Sequence, residues 1–306
     1  MKWHKLGLIY TPRGDRWWAR NFYAFNPTAE VAGDTLRVYF ASLDEHNYGR
    51  VGYVELDRDN PQKVLFVSPE PVLDVGALGA FDDCGVTPAC IANVGGRECL
   101  YYIGWQRCER VPYMLFSGVA IRENQSETFE RYSRVPVFDR TVNEPFSRSA
   151  PCVLAEPGGF RAWYWSCERW TVEGGWVHYN NVIRHAVSTD GFNWTSTGHI
   201  CITPRGPDEY SIGRPWIVRE EDLYRMWYSV RSRAGISYRI GYAESTDGFV
   251  WERKDEDVGI APSLEGWDSE MICHACVVDV GGRRYMFYNG NRHGRYGFGC
   301  AVLESD

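Results

Sequence analysis

Five acidic side chains recur at similar places in the chain, each a few residues before a short apolar segment. They are Asp82, Asp83, Glu144, Glu209 and Glu270. Two carboxylates that face each other can divide acid–base work, because one protonates a leaving oxygen while the other attacks as nucleophile or activates water. We assign the nucleophile or base to Asp83 and the acid to Glu209 or Glu270. The acid then needs a pKa that burial or a like-charged neighbour has raised.

A second set of polar and cationic side chains accompanies these acids. It comprises Asn26, Arg148, Arg214, Arg231, His274 and Arg292, together with Asp82 and Glu144 from the acidic set. Guanidinium groups bind phosphate and carboxylate through paired, charged hydrogen bonds. We therefore predict that this set binds the substrate, with Arg148, Arg214 and His274 around a phosphate or an anionic sugar. The alternative is that the arginines only neutralise neighbouring acids.

The candidate residues recur because the chain is built from repeats. Residues 221–251 read as strand, loop, strand, turn and strand, with aromatic and β-branched side chains on alternate faces. The closing sequence Ser-Thr-Asp-Gly-Phe-X-Trp of residues 245–251 occurs also at residues 188–194, where Asp and Gly favour a tight turn. Five copies, spaced about 60 residues apart, start near Pro27, Pro88, Pro151, Pro215 and Ala275.

Five copies of a four-stranded antiparallel unit predict an all-β fold, a five-bladed β-propeller. The fifth copy lacks a fourth strand, and the N-terminal segment has the pattern of that strand. We predict that residues 1–10 close the last blade and protect both edges. The chain 1–306 is then a single domain with blades at about 20–70, 82–140, 144–204, 209–262 and 270–305 plus 1–10. Loops ahead of the inner strands of a propeller open around its axis, so the candidate side chains should converge there.

Composition narrows the range of partners. The 306 residues carry a formal net charge of -7, which gives a nucleic-acid partner no global electrostatic support. No stretch approaches the roughly 18 apolar residues of a membrane span, so we expect a soluble, cytoplasmic protein without a membrane partner. Most cysteines stand alone in predicted strands and are expected to be reduced. The cluster at residues 273–276 matches no zinc spacing with a second half elsewhere, so neither a metal nor a cofactor is predicted.

The repeat with its Ser-X-Asp-Gly-X-X-Trp turn resembles the five-bladed propellers of sugar-active enzymes, the furanosidases, arabinanases, invertases and mannoside phosphorylases. The segment Phe25-Asn26-Pro27 looks most like the start of the mannoside phosphorylase group. The resemblance covers essentially the whole chain and implies a carbohydrate-active enzyme. Furanosidase-type relatives place Asp before the first prolines, whereas this chain has Asn26, Thr87 and Ala150. The phosphorylase-type Asp-Pro-Arg is replaced by Thr87-Pro88-Ala89, so family catalytic roles do not carry over.

Several functions remain open at this point. The substrate is expected to be a small molecule or an oligosaccharide, and an anionic, phosphorylated or nucleotide-linked sugar is included. Hydrolysis, phosphorolysis and glycosyl transfer all fit. A non-catalytic carbohydrate-binding propeller is the alternative, since Trp105, Trp165, Trp170 and Tyr296 could stack on sugar rings. Facing carboxylates about 5 to 10 Å apart favour cleavage, while carboxylates each paired with an arginine favour binding.

Overall fold

The computed structural model describes residues 1–123 and 126–304, and nearly all of its regular structure is β-strand. The first unit contains β2 (Phe25–Ala32), β3 (Thr35–Leu43), β4 (Gly49–Asp57) and β5 (Val64–Val67). The second contains β6 (Gly85–Val94), β7 (Arg97–Arg107), β8 (Tyr113–Arg122) and β9 (Glu130–Arg131). The third contains β10 (Arg148–Glu156), β11 (Gly159–Glu173), β12 (Trp176–Ser188) and β13 (Thr195–Ile202).

The last two units complete the strand order. The fourth unit contains β14 (Glu209–Glu220), β15 (Leu223–Ser232), β16 (Tyr238–Ser245) and β17 (Glu252–Arg253). The fifth contains β18 (Cys273–Val280), β19 (Arg283–Asn289), β20 (Phe298–Leu303) and β1 (Trp3–Tyr10). Within each unit, consecutive strands pair antiparallel in the order given. The prediction of an all-β chain is confirmed, and the N-terminal strand pairs with β20 as expected.

The strand β1 is held in the fifth unit by more than its ladder. Trp3 pairs with Leu303, and the Trp3 side chain is buried. Lys5 forms an ion pair of 2.7 Å with the buried Asp268, which precedes β18. The N-terminal and C-terminal strands therefore pair in one sheet. Because β1 covers β20, the edge of β20 that faces away from β19 is not exposed.

The repeated Ser-Thr-Asp-Gly turn has the predicted form at both of its sites. The Ser188 hydroxyl accepts a hydrogen bond from the Gly191 amide, and one Asp190 carboxylate oxygen accepts from two following amides. Gly191 has a φ of 78°, which a residue with a Cβ adopts only under strain. The Trp194 indole then donates to the Gly191 carbonyl over 3.0 Å. Local side-chain chemistry therefore sets this turn.

Every unit carries a β-bulge in its first strand. The two residues that oppose a single partner are Asn26-Pro27, Pro88-Ala89, Ala150-Pro151, Arg214-Pro215 and His274-Ala275. In the second unit the residue equivalent to Pro27 is therefore Ala89. The sequence alignment had used Pro88 instead, so it was shifted by one residue in this unit. The opposing residue is in each case a fully buried aromatic ring: Phe40, Tyr102, Tyr164, Tyr228 or Tyr288. Such bulges bend a strand and re-aim its side chains.

Side chains just after the bulges join neighbouring units. The Cys90 thiol accepts a hydrogen bond from the Val153 amide, as Cys152 does from Ile217 and Cys276 does from Ala29. The third of these contacts connects the fifth unit to the first. The ten cysteines are all free thiols. Buried thiols therefore serve as small packing groups and weak acceptors between units.

The described residues contain neither a membrane-spanning helix nor a cluster of metal-binding side chains. None of their helices is long and apolar enough to cross a membrane. Within 1–123 and 126–304, no group of three His, Cys, Asp or Glu side chains is arranged to hold a metal ion.

Candidate functional site

A cavity of about 900 Å³ opens where the bulged first strands of all five units meet. Four bulge residues that line it have a left-handed backbone: Asn26 (φ 54°), Ala150 (φ 50°), Arg214 (φ 45°) and His274 (φ 58°). This conformation costs about 1–2 kcal/mol per residue for a side chain with a Cβ. Repeated backbone strain of this kind clusters at functional sites. The cavity is therefore the first candidate for ligand binding.

The cavity wall is aromatic and cationic. Its rings include Trp105, Tyr113, Trp165, Tyr179 and Tyr238. The long hairpin β11–β12 of the third unit forms one side through Val177, His178 and Tyr179. The one carboxylate in the lining is Glu45, whose side chain is 74% exposed at the rim. The interior of the cavity thus has no carboxylate among the described residues.

Arg214 is a buried cation at the base of the cavity. Its guanidinium donates to the carbonyl of His274 over 3.0 Å, to the carbonyl of Pro27 over 3.0 Å and to the hydroxyl of Thr28 over 2.8 Å. No carboxylate of the described residues lies within ion-pair distance, and burial lowers the pKa of Arg214. Arg214 therefore holds the bulges of the fourth, fifth and first units together.

Arg231 lies in a cage of tyrosine rings on the cavity wall. Its guanidinium carbon is 4.7 Å from the ring centre of Tyr179, 5.2 Å from that of Tyr210 and 4.9 Å from that of Tyr238. Within the described part of the chain, its buried Nε has no hydrogen-bond partner and no carboxylate pairs with it. Aromatic faces attract the cation but accept no strong hydrogen bond. The terminal Nη donors, which make no hydrogen bond within the described residues and are not among the buried unpaired atoms, are therefore available to an acceptor from a ligand.

His274 lies next to these cations, and its ring is oriented by Asn289. Its Nδ1 is 3.2 Å from Asn289 Oδ1, and the Asn289 side chain is fully buried. Burial, with Arg214 nearby, lowers the pKa of His274 well below its ordinary value. His293 lies on the same wall, with its side chain exposed to solvent. The lowered pKa of His274 favours its neutral imidazole at pH 7.

Two buried amides on the cavity wall also lack partners. The Oδ1 atoms of Asn26 and Asn181 make no hydrogen bond within the described residues, and these side chains are only 6% and 2% exposed. A buried amide without a partner costs about 1–3 kcal/mol. Both oxygen atoms are themselves shielded from solvent, although their residues line the cavity.

The predicted site residues separate into two groups. Those that line the cavity are Asn26, Arg214, Arg231 and His274. Those that do not are Asp82, Asp83, Glu144, Arg148, Glu209, Glu270 and Arg292. Asp83, Glu209 and Glu270, which we expected to share one axial pocket, are all absent from the lining of this cavity. Their catalytic roles stay a prediction that this cavity does not support.

The acids of the second and third units are engaged in structural contacts. Asp82 pairs with Arg131 at 2.7 Å and accepts from the Tyr102 hydroxyl, while Asp83 accepts from the backbone amide of Gly79. Glu144 and Arg148 pair with each other at 3.2 Å, and both are buried. Asp82, Glu144 and Arg148 are therefore compensated within the protein, whereas Asp83 has no cation within ion-pair distance among the described residues and lies outside the cavity lining.

The acids of the fourth and fifth units are also unsuited to the predicted role. Glu209 pairs with Arg253 at 2.9 Å and with Arg239. Burial raises the pKa of Glu209, but hydrogen bonds from Arg253 and the Arg205 amide outweigh it, so the net shift is downward. A general acid would need the opposite shift. Glu270 is exposed beside a second, smaller cavity, and Arg292 lies exposed in the turn Asn291–Gly294.

Sequence reasoning missed two of the functional candidates. Asn289 lies on a second strand and Asn181 on a third, away from the segments that precede the first strands. Asn289 has a local signal, because a buried amide at the end of an apolar strand needs a partner. The identity of that partner, His274, is visible only in the folded chain.

No family model matches the chain. A curated relative, the uncharacterized protein Rv1502 of Mycobacterium tuberculosis (strain ATCC 25618 / H37Rv), is 40% identical over 305 residues, which cover 100% of both chains. A second curated relative, the uncharacterized protein MT1551 of strain CDC 1551 / Oshkosh, is also 40% identical over 305 residues and covers 100% of both.

Solved structures share the fold at low identity. One, a complex of BT0996, has a TM-score of 0.77 at 19% identity and covers 99% of this chain and 92% of that one. Another is described as "The GH130 family of mannoside phosphorylases contains glycoside hydrolases that target beta-1,2 mannosidic linkages in Candida mannan". Its TM-score is 0.74 at 15% identity, with 99% of this chain and 93% of that one covered. The chain therefore belongs to the family of the mycobacterial protein Rv1502 and has the fold of propeller glycoside hydrolases and phosphorylases.

Proposed function

We propose that the protein is a glycosyl-processing enzyme that binds a sugar with an anionic group in the axial cavity. The observation that carries this proposal is Arg231, a guanidinium surrounded by tyrosine rings with no carboxylate partner in the described residues. An uncompensated cation beside a cavity is costly until an anion joins it. Phosphate and carboxylate are the groups that match a guanidinium in geometry and charge.

The remainder of the wall suits a sugar. The unpaired amides of Asn26 and Asn181 can accept hydrogen bonds from hydroxyl groups, and Trp105 and Trp165 supply apolar faces. Ligand sites commonly combine apolar walls with a few polar groups that set orientation. A polyol with one anionic substituent would satisfy all of these groups together.

The fold supports the same proposal. We infer that the five four-stranded units are the blades of one closed five-bladed propeller, formed by a single domain. The thiol contact from Cys276 to Ala29 and the pairing of β1 with β20 support closure between the fifth and first units. In this arrangement the cavity lies on the axis, where all five units can contact one ligand.

A non-catalytic carbohydrate-binding protein is the second candidate. It is favoured by one observation: the cavity lining includes no pair of facing carboxylates, and its one acid, Glu45, is exposed at the rim. Ordinary glycoside hydrolysis requires such a pair. The two candidates differ in whether the bound sugar is consumed.

A thermal-shift screen tests the proposal. The ligands are inorganic phosphate, sugar phosphates, uronic and sialic acids, nucleotide sugars and neutral oligosaccharides. We expect stabilisation by anionic ligands, about 2.7 kcal/mol at one hundred times Kd. The shift should vanish in Arg231→Met, which keeps apolar contact with the tyrosine rings, and persist in the matched surface variant Arg58→Met. Stabilisation by neutral sugars alone, with Arg231→Met unaffected, would contradict an anionic ligand.

A further inference from the structure

The cavity contains a candidate base but no candidate acid. Breaking the glycosidic bond of an ordinary alcohol requires a carboxylic acid, or its equivalent, that protonates the departing oxygen. No carboxylate of the described residues reaches the cavity interior. A leaving group that departs as a stable anion needs no such acid. Arg231, which lacks a partner, could neutralise that anion.

The tautomer of His274 follows from the contacts of Asn289. The Asn289 Nδ2 donates to the carbonyls of Ala24 over 2.8 Å and Gly297 over 3.0 Å. Its Oδ1 accepts from the Asn26 amide over 2.8 Å, so the amide orientation is determined by three bonds. The oxygen therefore faces His274, and Nδ1 must carry the ring hydrogen. That leaves Nε2 as an unprotonated acceptor.

The surroundings of His274 leave this acceptor free for a substrate. Nε2 has no hydrogen-bond partner within the described residues, and His274 lines the cavity. The charged and titratable groups that face the ring are Arg214 and Arg231 of the fourth unit and His293 of the fifth. None of them is an anion that would favour the imidazolium.

The base and the cation are close enough to act on one substrate. The ring centre of Tyr238 is 4.9 Å from the Arg231 guanidinium carbon and 6.2 Å from the His274 ring centre. Both groups therefore lie beside the same tyrosine ring. A sugar ring with an attached phosphate can span that spacing.

We infer that His274 is the general base of the cavity and that the substrate is a glycosyl phosphate or a nucleoside-diphosphate sugar. The inference rests on the proposed function. His274 Nε2 takes the proton from a hydroxyl of water or of an acceptor sugar, and that oxygen bonds to the anomeric carbon. The bond from this carbon to the phosphate oxygen breaks, and phosphate leaves with the electron pair against Arg231. The imidazolium then returns its proton to water.

Asn289 is a positioning residue in this scheme. It does not contact the substrate. Its Oδ1 accepts a hydrogen bond from His274 Nδ1–H, which leaves the lone pair of His274 Nε2 directed to the cavity. Orienting groups of this type fix the tautomer of a catalytic histidine. A carboxylate in the same place would instead favour the imidazolium.

The test is release of phosphate or nucleoside diphosphate from a panel of sugar 1-phosphates and nucleoside-diphosphate sugars, with sugar 6-phosphates as matched controls. We expect at least one anomeric phosphate to be released and no sugar 6-phosphate to be consumed. His274→Asn should lower kcat by roughly 10²–10⁴-fold with KM little changed. Asparagine tolerates the left-handed backbone at this position, so the variant should fold.

A pH profile distinguishes positioning from a purely structural role. Asn289→Asp should move the acid limb of the kcat profile to higher pH, because the carboxylate raises the pKa of His274. Mapping diethyl pyrocarbonate adducts by mass spectrometry gives a readout that needs no turnover. His274 should react at pH 6 as the exposed His46 does, and phosphate should protect His274 but not His46.

Three results would overturn the inference: no release from any anomeric phosphate, unchanged kcat in His274→Asn, or a His274 that resists modification at pH 6. Any of them can coexist with thermal stabilisation by anionic sugars that Arg231→Met abolishes. In that case the proposed function stands and the base is misassigned. If anionic sugars also failed to stabilise the protein, the proposed function would be contradicted as well.

Discussion

Charged groups away from the cavity and charged groups at the cavity differ in whether they have a partner of opposite charge. Four of the buried tyrosines opposite the bulges donate to an acid that also pairs with a cation, and these acids are Asp82, Glu144, Asp255 and Asp268. Each acid is satisfied by two kinds of partner. Along the cavity wall, Arg231, Asn26 and Asn181 retain unpaired atoms. Single unpaired atoms, such as Asp82 Oδ1 and Arg148 Nε, also occur among the outer groups. The two regions therefore differ in charge compensation: the outer acids have cationic partners, whereas Arg231 has no anionic partner among the described residues.

The energetic consequences of the two arrangements differ. Removing one member of a buried ion pair leaves the other charge uncompensated, which typically costs 3–5 kcal/mol. An unpaired group at a cavity already reduces stability in the free protein. Its replacement can be neutral for stability while it abolishes binding. Each variant below tests this difference, from the largest expected effect to the smallest.

Deletion of residues 1–10 should have the largest effect. It removes the β1 ladder, exposes the edge of β20 and leaves the buried Asp268 without Lys5. The missing charge partner alone should cost about 3–5 kcal/mol, and the lost burial of Trp3 adds to it. Chemical denaturation should show a lower midpoint or no cooperative transition. Lys2→Met, at an exposed ion pair, is the control, and a truncated chain that melts like the full chain would contradict the role of β1.

Glu144→Gln should destabilise the protein by about 3–5 kcal/mol, because Arg148 is then left as a buried charge without its partner. Arg231→Met should change the free energy of unfolding by no more than about 1 kcal/mol, because no carboxylate loses a partner. Denaturant titration of the two variants side by side measures the contrast. Equal destabilisation by both would break the proposed division between fold and site.

At neutral pH His185 should have the smallest effect of all, because it contributes to the pH dependence of stability only in acid. It is buried between units, accepts a hydrogen bond from Arg161 over 3.0 Å, and burial lowers its pKa from 6.5 to about 4. The unfolded chain binds this proton below pH 6.5 and the native chain does not, so stability is lost as the pH falls from about 6.5 to about 4. The slope is about 1.4 kcal/mol per pH unit.

The His185→Gln variant isolates this contribution. Its free energy of unfolding should depend less on pH than that of the natural chain across this window, and the two curves should run parallel above pH 7. Unfolding measured at several pH values provides the comparison. An unchanged slope in the variant would assign the acid sensitivity to other groups, such as His293.

Much of the fold could be predicted from the sequence because its determinants are local. Alternating apolar residues mark strands, and the side chains of Ser188 and Asp190 make their turn within a few residues of themselves. Repetition of the pattern predicted the units, and the missing last strand predicted the place of β1. The bulges themselves were not predicted, but the repeat starts marked by proline fall on them, with a shift of one residue at Pro88.

The roles of the acids were decided only by the tertiary structure. Glu209 meets Arg253 across 44 residues, and Asp268 meets Lys5 across 263, so no local pattern could show that these carboxylates are already paired. The same holds for the tautomer of His274. It depends on the Asn289 side-chain amide, and the backbone of Asn26 in the first unit helps to orient that amide. The sequence by itself determined which elements form and how often they repeat. Charge pairing and desolvation depend on distances between units, and they decided which polar groups remain free to act.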